Sequence, residues 1–118
     1  MKKFFSSIVI IFAFVASLSA QEKVSLKQTE GEFTQKEVRL APGNYVFEVT
    51  NEGVDRKVGF VLAPKGKTDQ KYHIKNAYLQ KTIANGETAT SKEVLLKKGE
   101  YVYFCPLNPT PQYTLLVE

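Results

Sequence analysis

The sequence predicts an all-β domain of about seven strands, a sandwich or barrel. Three observations carry this: period-two alternation of apolar and polar residues, turn residues spaced closely between those runs, and one strand–turn–strand pattern that occurs twice. The alternation is clearest where Tyr45, Phe47 and Val49 interleave with Val46, Glu48 and Thr50. Val58, Phe60 and Leu62 interleave with Lys57, Gly59 and Val61, and Tyr113, Leu115 and Val117 repeat the spacing near the C-terminus. Successive strand side chains point to opposite faces, so each apolar set defines a core face. Val24 with Leu26, Val38 with Leu40 and Val94 with Leu96 mark three more strands. The run from Tyr101 to Cys105 is apolar on both faces, as a central strand is. Residues 69–83 fit either class: Tyr72, Leu79 and Ile83 have helical spacing, whereas Tyr72, Ile74 and Tyr78 suit a strand.

The duplicated pattern is E-V-x-L-x-x-G-x-Y-V-aromatic. It begins at Glu37 and again 56 positions later at Glu93, with identity at six of eleven places. Each copy reads as a short strand, a turn at Gly43 or Gly99, and an aromatic-rich strand. The two copies are expected to be equivalent corners of a two-sheet fold, with glycine supplying turn freedom.

Residues 1–20 read as a secretory signal. Lys2 and Lys3 precede an unbroken apolar run over residues 8–15, then small residues up to Ala20. The run is too short to span a bilayer as a helix, which takes about 20 apolar residues. Cleavage after Ala20, or alternatively after Ser19, leaves one domain of residues 21–118 with no membrane span, in the periplasm or secreted. Without Lys2 and Lys3 the 16 basic residues fall to 14 against 12 acidic, a net charge of +2. The lysines are scattered instead of forming a stripe, so nucleic acid is not an expected partner.

Cys105 is the single cysteine, so no internal disulfide supports the fold. A lone thiol in an oxidising compartment is either a buried core residue or one kept for metal or redox chemistry. Catalytic signatures are missing: one histidine cannot complete a Ser-His-Asp set with the residues around it, and there is no phosphate-binding glycine loop or Cys-x-x-Cys. Glu30 and Glu32 flank Gly31 as a solvated turn. An enzyme is not expected.

Three segments resemble the cupredoxins: residues 40–51, residues 56–60, and the run from Gly99 through Tyr101 and Tyr103 to Cys105 and Pro106. The resemblance covers roughly residues 24–118 and is similar to that of cupredoxin-like modules in exported bacterial proteins. It implies a Greek-key β-sandwich of seven to eight strands with a copper thiolate at Cys105. Carried over by position, the early histidine ligand falls on Arg56 (or on Lys57), the loop histidine on Asn108, and the axial methionine near Tyr113. A blue-copper centre needs two imidazoles and a thiolate. The chain has one histidine, His73, and its one methionine is Met1. The expectation is therefore a degenerate site without blue copper, and no cofactor. The module would bind a protein or small ligand at the loop end running from Cys105 to Tyr113, which Pro106, Pro109 and Pro111 stiffen. The alternative is a copper-binding or electron-transfer protein with an incomplete site on Cys105, His73 serving as a weak ligand.

Overall fold

The computed structural model describes residues 21–118, so the segment read as a signal lies outside the described residues. Eight strands form: β1 (Glu22–Thr29), β2 (Glu32–Phe33), β3 (Glu37–Leu40), β4 (Gly43–Asn51), β5 (Val61–Pro64), β6 (Thr88–Leu96), β7 (Gly99–Phe104) and β8 (Tyr113–Val117). They make two four-stranded sheets, ordered β2-β1-β4-β6 and β3-β8-β7-β5. β1 runs parallel to β4 and β3 parallel to β8, while the remaining pairs are antiparallel. The fold is a β-sandwich, and β7 is central as its two apolar faces require.

The alternating residues meet between the sheets. Leu26, Phe47, Val49, Leu96, Tyr103 and Leu115 are all at most 2% exposed and belong to one core cluster. Phe33, from the two-residue β2 that the alternation does not reveal, sits edge-on to Tyr103 at 5.2 Å and to Phe60 at 6.0 Å. Such edge-to-face pairs suit the ring quadrupoles and add to the area buried.

The duplicated pattern does build two equivalent corners. β3 lies in one sheet and β4 in the other, and β6 and β7 are likewise divided between sheets. In the first corner the Tyr45 hydroxyl donates to the Ala41 carbonyl at 2.6 Å; in the second Tyr101 donates to Lys97 at 2.8 Å. Both bonds reach four residues back, so each tyrosine ties the end of one strand to the start of the next. The glycine expectation holds at one corner only: Gly43 has no positive φ, whereas Gly99 has φ 158°, a conformation that other residues rarely adopt. A Cβ at either would make ordinary contact with the following tyrosine ring, at 3.8 Å and 3.7 Å.

Two further expectations are corrected. The alternating run of residues 57–62 is a ladder strand only from Val61 onward; Val58 makes a single bridge to Ile83, although Val58, Phe60 and Leu62 do face the core. Residues 69–83 are neither a regular helix nor a strand, but an irregular stretch with two single 3-10 turns, Gln70–Tyr72 and Lys75–Ala77. This stretch closes one open side of the sandwich. Ile74 donates its N–H to Leu62 at the edge of β5, and Gln80 donates to Thr90 at the edge of β6. Both helical and strand spacings are partial in the sequence because the segment serves two edges. Covering edge strands in this way also removes templates for unwanted pairing.

Candidate functional site at the Cys105 loop

The loop between β7 and β8 begins at Cys105, whose side chain is fully buried. Its sulfur accepts two backbone hydrogen bonds, from the Gly59 N–H at 3.3 Å and the Asn108 N–H at 3.4 Å. The loop is closed on itself as well. Thr110 donates its N–H to the Cys105 carbonyl at 3.2 Å, and its hydroxyl accepts the Cys105 N–H at 3.0 Å. These bonds and the three prolines give a stiff loop above a buried sulfur.

Asn108, like Cys105, has no exposed surface. Its amide oxygen accepts the Gly31 N–H at 2.8 Å, and its amide nitrogen donates to Gln28 Oε1 at 3.1 Å and to the Thr29 carbonyl at 2.9 Å. Gln28, also fully buried, donates to the Gly59 carbonyl at 2.6 Å. A closed network thus joins the loop, the β1–β2 turn and the segment before β5. The turn places Gly31 at φ 75°, a left-handed backbone that glycine adopts without strain. Buried amides need such partners, since each unpaired polar group costs about 1–3 kcal/mol.

The other positions named from the sequence are distributed around this centre. Arg56 is exposed; its Nε donates to the Leu107 carbonyl at 3.2 Å and its Nη2 to Glu30 at 2.7 Å. It braces the loop from outside, and the contact to the sulfur from this stretch comes three residues later, from Gly59. Tyr113 opens β8 and stacks in the core aromatic group, 5.5 Å from Tyr103 and 5.9 Å from Phe33, with the Lys36 ammonium 5.3 Å from its ring. His73 belongs to the irregular stretch. One ring nitrogen pairs with the Tyr78 hydroxyl at 2.7 Å and the other with the Thr68 carbonyl at 2.9 Å. Its ring packs edge-on against Phe104 at 6.0 Å. Phe104 and Cys105 are adjacent in the chain, so strand alternation turns them to opposite faces, with Tyr103 and Cys105 facing the core.

Gln28 and Asn51 carry weight that composition and motifs do not show. Gln28 continues the buried series Val24, Leu26, Gln28 on β1, and that period was its one visible signal. Asn51 is fully buried, accepts the Val54 N–H at 2.9 Å and donates to the carbonyls of Val54, Arg56 and Ile83. It sets the turn that brings Gly59 to the sulfur.

Beside the loop lies a concave pocket of about 250 Å³. Residues 59–61 and 78–79 form one part of it, residues 81–82 another, and Pro106 and Leu107 the lip. Leu107 is 48% exposed there. Tyr78 contributes an aromatic wall, held in place through its hydroxyl by His73. Lys81 is the one charged side chain of the lining.

Solved structures resemble this architecture closely. Auracyanin B aligns with a TM-score of 0.67 and 16% identity, over 82% of this chain and 88% of that one. Auracyanin A, a "blue" copper protein from the green thermophilic photosynthetic bacterium Chloroflexus aurantiacus, aligns with a TM-score of 0.66 and 17% identity, over 84% of this chain and all of that one. The chain has the cupredoxin fold. An azurin from Methylomonas sp. strain J gives the same answer, with a TM-score of 0.63 and 15% identity over 84% of this chain and 99% of that one. No protein-family model and no curated protein matches the sequence.

At such identities the likeness shows the cupredoxin fold alone, and the donors at the Cys105 end decide what chemistry fits. A type 1 centre calls for two imidazoles, a thiolate and a weak axial ligand. Here the one histidine has both nitrogens engaged by Tyr78 and Thr68, and the Asn108 amide is engaged by β1 and its turn. Among the described residues no three His, Cys, Asp or Glu side chains are grouped to hold a metal ion. The residues at this end of the cupredoxin fold do not fit a blue-copper centre. Among those same residues, no helix is long and apolar enough to cross a membrane.

Proposed function

We propose that this protein is an exported, non-enzymatic binding module on a cupredoxin scaffold, working in the periplasm or outside the cell without blue copper. One observation carries the reading. The sulfur that would anchor a metal is enclosed and held by two backbone N–H groups, while an open apolar pocket lies against the same loop. Recognition surfaces usually combine an apolar concavity with a few placed polar groups. At about 250 Å³ the pocket is smaller than the ~300–1,000 Å³ typical of sites for drug-sized ligands. Its size suits a single apolar side chain of a partner, entering past Leu107 with Lys81 at the edge.

Amide spectra of the labelled protein, titrated with N-acetyl-phenylalanine amide, test this reading. Saturable shifts confined to residues 59–61, 78–82 and 106–107, and abolished by Leu107→Asp, are expected. Shifts absent from those residues contradict it. The copper-carrier alternative predicts Cu(I) affinity that depends on Cys105. Equal Cu(I) competition by the wild type and Cys105→Ser ends that alternative, and a clear loss in the variant would favour it.

A further inference from the structure

The irregular stretch between β5 and β6 presents a second surface, unrelated to the pocket. Tyr72 closes the 3-10 turn Gln70–Tyr72 and is 40% exposed, one of three large apolar or aromatic side chains so exposed among the described residues. Two ammonium groups converge on its ring: Lys71 Nζ lies 5.2 Å from the centroid and Lys67 Nζ 5.5 Å. Ring quadrupoles attract such cations. Neither ammonium has a carboxylate within ion-pairing range among the described residues.

Lys23, Lys27, Lys36, Lys65 and Lys81 are each matched to a glutamate, at 2.7–3.9 Å. Other unpaired lysines, such as Lys57, Lys92, Lys97 and Lys98, have no aromatic ring beneath them among the described residues. Between residues 66 and 76, Lys67, Lys71 and Lys75 face a single acid, Asp69. The backbone that carries them is held firmly: Lys67 N–H to Pro64, Tyr72 N–H to Asp69, His73 ring to Thr68, and Ile74 N–H to Leu62. The backbone beneath both lysines is therefore fixed, and their ammonium groups are left open to a carboxylate from outside the chain.

We infer that Lys67, Tyr72 and Lys71 form a docking point for an acidic segment of a partner protein, whose carboxylates pair with the two ammonium groups held at the tyrosine ring. An exposed aromatic flanked by unpaired cations has the make-up of an interface anchor, with charge supplying specificity and steering. A polyanion would need a longer basic track, and the neighbouring Lys65 is already matched to Glu100 at 3.0 Å. A membrane surface would need more than one apolar side chain at the turn.

The test is a titration of the labelled protein with an acetylated, amidated pentapeptide containing three glutamates, in low salt. Saturable shifts centred on Lys67, Lys71 and Tyr72 are expected. Lys67→Glu with Lys71→Glu should weaken binding at least about fivefold, and Tyr72→Ala about threefold. Lys97→Glu with Lys98→Glu, an equal charge change in the exposed β6–β7 turn, should alter it by less than about twofold. The inference is overturned if shifts spread over all lysines, if the two double variants weaken binding equally, or if phosphatidylglycerol vesicles bind and the peptide does not.

Discussion

Asn108 and Cys105 hold each other in place across one turn of the loop. The Asn108 N–H reaches the Cys105 sulfur at 3.4 Å, and its side chain simultaneously fastens the loop to β1 and the β1–β2 turn at 2.8–3.1 Å. The sulfur is thus a hydrogen-bond acceptor in a structural network, and the asparagine is its keystone. Removing either changes how the loop sits on the sandwich, and with it the lip of the pocket at Leu107.

Asn108→Ala should be markedly destabilising. It deprives the Gly31 N–H, Gln28 Oε1 and the Thr29 carbonyl of a buried partner, and a loss of about 2–3 kcal/mol is expected. For a domain of this size that lowers Tm by roughly 4–8 °C per kcal/mol. Urea unfolding measures it; a change below about 0.5 kcal/mol, the range of an ordinary surface substitution, would mean the network is not holding the loop.

The two corners should prove energetically alike. Tyr45→Phe and Tyr101→Phe each delete one hydroxyl bond to a carbonyl four residues back, for about 0.5–1.5 kcal/mol apiece. The double variant should give the sum within about 0.5 kcal/mol, since the two corners share no partner. A strong departure from additivity in chemical denaturation would show that the corners are coupled through the core.

Alkaline conditions should unfold the protein through Tyr103. Its hydroxyl donates to the Gln35 carbonyl at 2.6 Å, and burial pushes its ionisation well above the usual tyrosine value of 10.0. The unfolded chain therefore ionises first. The stability held by the neutral phenol is complete below that ordinary value and is lost as pH rises from there toward the folded value. Denaturation midpoints taken from neutral pH upward should fall steeply above pH 10, and Tyr103→Phe should flatten that fall. A Tyr103→Phe protein with an unchanged alkaline slope would assign the effect elsewhere.

Much of the scaffold is legible in the sequence because a half-buried strand writes its burial every second residue. β1, β4 and β8 are legible in this way, and the doubled pattern marks both corners. The residues that escaped do not obey that rule. β2 has two residues, too few for a period, yet it delivers Phe33 to the centre of the core. The stretch before β6 has mixed spacing because its residues answer to the edges of two strands. At the loop, Cys105 and Asn108 were visible by position, and the count of one histidine already argued against a type 1 centre. That Asn108 ties down β1 and the β1–β2 turn, or that Gly59 approaches the sulfur, follows from contacts between residues as many as 80 positions apart, which no local pattern carries.

The central claim is that a cupredoxin scaffold here carries a closed thiol network in place of a blue-copper centre. Adding Cu(II) to the purified protein and recording its visible spectrum tests this most directly. The account predicts no intense thiolate-to-copper charge-transfer band near about 600 nm, the signature of a Cys-ligated trigonal site. An intense band there, lost in Cys105→Ser, would contradict it.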